Sequence, residues 1–150
     1  MARITAEQIE ACGVVGAGGA GFPTHVKLKA KAEFILLNAA ECEPLLHKDK
    51  ELRRFGREVL DGLEAARRAG RGRRPSSGSG QVRGRDRSVA PPTLNGQTTI
   101  TPLSASYPSG DEFILVYDCT GRIIPPGQIP LSVGCVVINV ETALNIVPSR

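Results

Sequence analysis

The chain has 150 residues, enough for one ordinary domain with a buried core and too few for two unless both are unusually small. Hydrophobic residues at 41% and charged residues at 23% argue against wholesale disorder and against a membrane-spanning architecture. The formal charge of +4 is unevenly placed: residues 67–87 hold eight of the 19 basic residues and one of the 15 acidic ones, a net +7, and the other 11 basic and 14 acidic residues give −3. A basic total that suggests nucleic acid is therefore an Arg-Gly-Ser-Pro stretch inside a mildly acidic chain.

Cys12, Cys42, Cys119 and Cys135 are widely spaced, with no C-x-x-C, so neither a zinc ribbon nor a cluster-binding run is present and reduced, mostly packed thiols are expected. The N-terminus has no charged region followed by an apolar one, and no 18-residue apolar run exists, which makes a cytoplasmic location the expectation.

In chain order, Thr5 before Ala6-Glu7-Gln8-Ile9 reads as the N-cap of a short helix that Gly13 ends. The loop Gly16-Ala17-Gly18-Gly19-Ala20-Gly21 follows, then a second helix from Thr24 to about Lys31 with Pro23 at its start. Glu33 to Asn38 is a short apolar run suited to a strand buried on both faces, and the loop Ala39 to Pro44 leaves its carboxyl end. Between Asp49 and about Ala69, Leu52, Phe55, Val59, Leu60, Leu63 and Ala66 recur at helical spacing. Residues 71–99 have no usable period.

Phe113 to Tyr117 is a strand by composition, whereas the acidic start at Asp111-Glu112 and the stop at Gly121 suit a helix. After a proline-rich loop, Cys135 to Ile138 is a second buried strand, and Asn139 to Ile146 a short closing helix. Strands alternating with helices make the class α/β.

Two segments carry candidate chemistry. Gly16 to Gly21 satisfies G-x-G-x-x-G, whose glycines let backbone N–H groups approach an anion without Cβ interference. The segment before it reads as a helix rather than a strand, which disfavours classical dinucleotide geometry and leaves a phosphate loop and a plain glycine turn both open. Asn38-Ala39-Ala40-Glu41-Cys42-Glu43-Pro44 sits where α/β sheets place ligands, although its acids also read as solvated loop charges. Lys27 lies within reach of a phosphate on the glycine loop, while His25 and His47 have no ligand-like spacing.

Taken together, Gly16 to Lys27 (GAGGAGFPTHVK) and Asn38 to Pro44 (NAAECEP) resemble an FMN-binding domain shared by three systems: the flavin subunit of respiratory complex I, a subunit of the Rnf complex, and the cobalamin reductase of propanediol-utilisation microcompartments. Tyr107 to Glu112 resembles that family's Y-P-x-G-x-E, Pro125-Pro126-Gly127 its proline-rich turn, and Asn139-Val140-Glu141-Thr142 its closing N-V-E-T. The resemblance covers roughly residues 8–67 and 100–147. It implies a Rossmann-like layered domain with a short, mainly parallel sheet flanked by helices, its central β-α-β portion disrupted where the irregular stretch at about 68–99 replaces it. One reading of that abrupt break is a pair of compensating frameshifts.

The resemblance also implies a site. Gly16, Gly18, Gly19, Ala20, Gly21 and Lys27 would hold the FMN phosphate; Asn38, Glu41 and Glu43 would line the flavin and the approach of NADH. Gly110, Asp111 and Glu112 would form the acidic turn beside the flavin, followed by a helix, and Asn139 and Thr142 would supply the last contacts. Ala40 stands where the complex I branch carries an acid, and Ile138 where a polar residue commonly precedes the asparagine. No side chain need act as acid, base or nucleophile, because the chemistry is the cofactor's. The implied partners are NADH and iron–sulfur or cobalamin electron acceptors, the clusters lying in further domains or partner proteins, with a peripheral membrane complex or a microcompartment as the setting and no nucleic acid. The competing readings are a non-catalytic anion or nucleic-acid binder acting through the basic stretch, and a degenerate fragment.

Overall fold

The structure, a computed structural model, describes residues 4–41, 47–70, 80–83, 93–94, 98–100 and 108–147. It begins with α1 (Ala6–Ala11), started by a reciprocal cap: Gln8 N donates to Thr5 Oγ1 at 3.3 Å and Thr5 N donates to Gln8 Oε1 at 2.9 Å. Past the glycine loop, α2 (Thr24–Lys29) starts with Pro23 at the N-cap in extended geometry and stops two residues before Lys31. Then come β1 (Phe34–Asn38), α3 (Lys48–Ala69), β2 (Gly80–Arg83), β3 (Thr93–Leu94) and β4 (Thr98–Ile100). The chain closes with α4 (Glu112–Thr120), a 3-10 turn at Pro130–Val133, β5 (Cys135–Asn139) and α5 (Val140–Ile146).

The strands form one sheet in the order β3-β4-β2-β1-β5. β1 pairs in parallel with both β2 and β5, β2 in parallel with β4, and β3 antiparallel with β4. This is the short, mainly parallel sheet of a Rossmann-like α/β domain. Strands β2 to β4 fall inside the stretch where the sequence shows no period. They are two to four residues long, too short to display alternation, although Thr98-Thr99-Ile100 carries the β-branched signature. Residues 71–79 and 84–92, which hold most of the basic stretch, lie outside the described residues.

Alternation along the two central strands divides the core into two layers. Ile35 and Leu37 of β1 and Val136 and Ile138 of β5 face α1, α2, α3 and α5, whose contributions include Ile9, Leu28, Val59, Leu63 and Ala143. Leu36, Cys135 and Val137 face the other way, onto Leu115 and Val116 of α4. Burial on both faces explains why these strands are nearly continuous apolar runs. α3 and α5 lie backbone to backbone, since a Cβ built on Gly62 would stand 1.9 Å from the carbonyl oxygen of Ala143.

Two local points differ from, or decide between, sequence expectations. Phe55, counted on the buried stripe of α3, sits at φ −124, ψ 26, a kink that turns its ring outward, 37% exposed and under the Arg54 guanidinium. The segment after Asp111 is a helix despite its strand-like composition: Asp111 Oδ1 accepts from Phe113 N at 2.9 Å and Ile114 N at 3.3 Å, and Gly121 ends the helix at φ 70. Capping at both ends outweighs β propensity over nine residues.

Candidate functional site

Register brings the candidate residues together. β1 and β5 run parallel with Asn38 paired to Asn139, so the two asparagines close neighbouring strands at the same level. Carboxyl ends of parallel strands are where open α/β sheets receive ligands. A cleft of about 300 Å³ opens there, at the small end of the range for small-molecule sites. Its walls come from the glycine loop (Gly16, Gly18, Ala20), from the turn Gly110-Asp111-Glu112, from Lys27 and Asn38, and from Asn139 and Thr142.

The glycine loop is held at both ends. Gly16 N donates to Phe22 O at 2.8 Å, and Ala17 N donates to Thr142 Oγ1 at 3.0 Å, fixing the loop against the first turn of α5. A Cβ on Gly18 would stand 2.1 Å from Asn139 Nδ2, so any larger residue there has to push the Asn139 amide aside. Gly19 and Gly21 adopt φ 101 and φ 60; they shape the loop but do not line the cleft.

Lys27 reaches across from α2, its Nζ donating to Val137 O at 2.9 Å. Burial pushes its ammonium pKa down, and the negative charge of Glu112 opposes that shift. A desolvated cation beside a glycine loop is the arrangement an anion selects.

Several residues assigned to the ligand from sequence spend their polar atoms on the protein. Asn38 is 5% exposed: its Nδ2 donates to Gly110 O at 2.8 Å and its Oδ1 accepts from Ala40 N at 3.1 Å. It ties the acidic turn to the end of β1. Glu41 does not line the cleft; its Oε1 accepts from Asp49 N at 3.0 Å in the first turn of α3. Asp111 lines the cleft while capping α4, and Glu43 lies outside the described residues.

Sequence reasoning missed Thr24, Lys48, Val137 and Ile138, all of which line the cleft. Val137 and Ile138 look like ordinary strand core from sequence. Lys48, a buried lysine whose Nζ donates to Ala40 O at 2.8 Å, is indistinguishable in sequence from the solvated charges after it. Thr24 could have been found, since it lies three residues before Lys27 and so on the same face of α2. His25 sits 3.4 Å from Glu10 and is not among the cleft residues.

A parallel α/β sheet with a glycine-walled, lysine-bearing cleft at its strand ends defines a domain of the mononucleotide-binding class. Residues 9–148 match the family model described as the Nuo51 FMN-binding domain, and the chain belongs to that family. It is 42% identical over 146 residues to cobalamin reductase PduS of Citrobacter freundii, covering 97% of this chain and 32% of the relative. It is 36% identical over 144 residues to a component of the Na(+)-translocating ferredoxin:NAD(+) oxidoreductase complex of Acetobacterium woodii, covering 91% of this chain and 32% of that protein. A crystal structure of an NAD+-reducing [NiFe]-hydrogenase in the air-oxidised state shares the fold with TM-score 0.73 and 25% identity, over 94% of this chain and 29% of that one. The chain thus spans about a third of the length of these curated relatives.

Family membership makes this an FMN-binding domain related to segments of a cobalamin reductase and of a ferredoxin:NAD(+) oxidoreductase component. The residues present fit that cofactor: a cation for a phosphate, a loop that admits backbone approach, and apolar strand ends for a ring. Among the described residues, no helix is long and apolar enough to cross a membrane, and no group of three or more His, Cys, Asp and Glu is placed to hold a metal.

Proposed function

We propose that the cleft at the ends of β1 and β5 binds FMN, takes electrons from NADH there, and passes them to iron–sulfur or cobalamin centres carried by further domains or partner proteins. The observation that carries this reading is the convergence, in one cleft, of ten sequence-assigned residues from four separate segments: Gly16, Gly18, Ala20 and Lys27; Asn38; Gly110, Asp111 and Glu112; Asn139 and Thr142. The names of the relatives, a cobalamin reductase and a component of a ferredoxin:NAD(+) oxidoreductase complex, support a nicotinamide partner and the cobalamin and iron–sulfur partner classes.

In this reading Lys27 and the glycine loop hold the phosphate, and the loop's anchor on Thr142 keeps its N–H groups pointed at one place. Asn38 acts one step back, fixing Gly110 and hence the acidic turn that approaches the ring. Glu112 keeps negative charge near Lys27 and partly offsets the downward push that burial exerts on its pKa. When bound, FMN supplies the conversion between two-electron and one-electron transfer. The domain contributes position and electrostatics, and none of its side chains acts as acid, base or nucleophile. The basic stretch takes no part, and a cytoplasmic setting on the inner face of a membrane or in a microcompartment belongs to the same reading.

The test is anaerobic addition of NADH to the FMN-reconstituted chain, followed by visible absorption. Loss of the oxidised-flavin bands is the expected result. Flavin that dithionite reduces and NADH leaves oxidised overturns the claim that this segment accepts electrons from NADH.

A further inference from the structure

Thr24 begins α2 and is 1% exposed, yet it lines the cleft, and its Oγ1 has no hydrogen-bond partner. A buried hydroxyl left unpaired is costly, and such groups in folded proteins call for an explanation. Its backbone is already committed, with Thr24 N donating to Val14 O at 3.2 Å, so the hydroxyl is not needed to start the helix. Lys27, one turn along the same face, also lines the cleft, as do Gly16, Gly18 and Ala20 of the glycine loop.

We infer that Thr24 is a specificity-determining residue of the cleft, its hydroxyl donating to the phosphate monoester of the bound mononucleotide beside the Lys27 ammonium. The inference rests on the FMN reading above and adds what that reading leaves open, the means by which the cleft prefers a phosphorylated flavin to an unphosphorylated one. A hydroxyl donor is well suited to this: it is short, rigid on a β-branched side chain, and neutral, so it rewards a dianionic oxygen without adding charge to a buried site. The unpaired group is the cost the apoprotein carries, and the ligand relieves it.

This arrangement makes apoprotein stability and ligand affinity respond in opposite directions. Thr24→Val replaces an unpaired hydroxyl by a methyl of the same shape and Thr24→Ser keeps the donor. The full chain and both variants are titrated with FMN and with riboflavin, which differ only by the phosphate, and each apoprotein is melted. Thr24→Val is expected to bind FMN about tenfold more weakly or worse, to bind riboflavin as the wild type does, and to melt no lower than the wild type. Thr24→Ser is expected to stay within about threefold of wild type for FMN. Unchanged FMN affinity in Thr24→Val, or equal losses for FMN and riboflavin, overturns the assignment; so does a lower melting temperature with FMN affinity intact, which marks a structural hydroxyl. A wild-type chain that binds neither flavin overturns the FMN reading itself, an outcome distinct from all of these.

Discussion

Gly62 is the position where packing and site geometry are most directly coupled. A Cβ there would stand 1.9 Å from the carbonyl oxygen, 2.6 Å from the carbonyl carbon and 3.2 Å from the Cα of Ala143, all backbone atoms that no rotamer change can move. Relief to an ordinary 3.4 Å contact requires α3 and α5 to separate by about 1.5 Å, the difference from 1.9 Å. Gly62→Ala gains about 1 kcal/mol of helix propensity, against an overpacking cost of about 1–3 kcal/mol that backbone contact places at its upper end. The net expectation is a loss of about 1–2 kcal/mol, or roughly 2–4 °C in melting temperature per kcal/mol for a chain of this size. Gly56→Ala in the same helix is the control: a Cβ there meets nothing within 4 Å, so propensity alone acts and the variant gains about 0.5–1 kcal/mol. Urea unfolding of the three proteins gives the comparison. Because α5 carries Thr142, which anchors Ala17, Gly62→Ala also weakens FMN binding while Gly56→Ala does not. A Gly62→Ala protein as stable as Gly56→Ala would refute the close approach of the two helices.

Asn38→Ala removes both ends of a buried bridge and leaves Gly110 O and Ala40 N without their partner, so a loss of about 2–4 kcal/mol in urea unfolding is expected. A loss below about 0.5 kcal/mol would show that the bridge does not form. Glu51 has its carboxyl pKa raised, chiefly by burial and further by the charge of Glu141, with Lys48 and His47 opposing; its Oε2 has no hydrogen-bond partner. The folded state therefore holds the Glu51 proton more tightly than the unfolded chain, and the ionised carboxylate destabilises the fold above its raised pKa. Glu51→Gln is expected to melt higher than wild type near neutral pH, with the advantage shrinking as pH falls through that pKa and the wild-type group protonates. An offset of the same size at every pH would contradict this account.

Much of the architecture was legible because several local signals agreed. Thr5 announced the cap of the first helix, and the apolar runs ending at Asn38 and Ile138 announced strands buried on both faces. The helix after Asp111 was legible through its ends together with the family resemblance and not through periodicity, since its interior is largely apolar and leaves Phe113, Ile114 and Tyr117 exposed. The kink at Phe55 was hidden because periodicity records spacing and not a single departure in φ. For the site, the sequence marked which segments meet but not which hydrogen bonds their side chains make within the protein. Asn38, Glu41 and Thr142, assigned there to a ligand, each make a hydrogen bond within the protein. Two of these bonds join distant partners, 72 residues apart for Asn38 and Gly110 and 125 for Ala17 and Thr142, and no local pattern encodes them. The missing hydrogen bond of Thr24 is likewise visible only once the chain is folded around it.

The central claim is that FMN sits in the cleft between the glycine loop and the ends of β1 and β5. Titration of FMN into the full chain and into Gly18→Val, read by flavin fluorescence with circular dichroism as the check on folding, tests it most directly. The wild type is expected to bind one equivalent, and Gly18→Val, whose side chain would displace Asn139 and occupy the loop's approach, to remain folded and lose at least tenfold in affinity. No binding by the wild type, or equal binding by both proteins, would contradict the account.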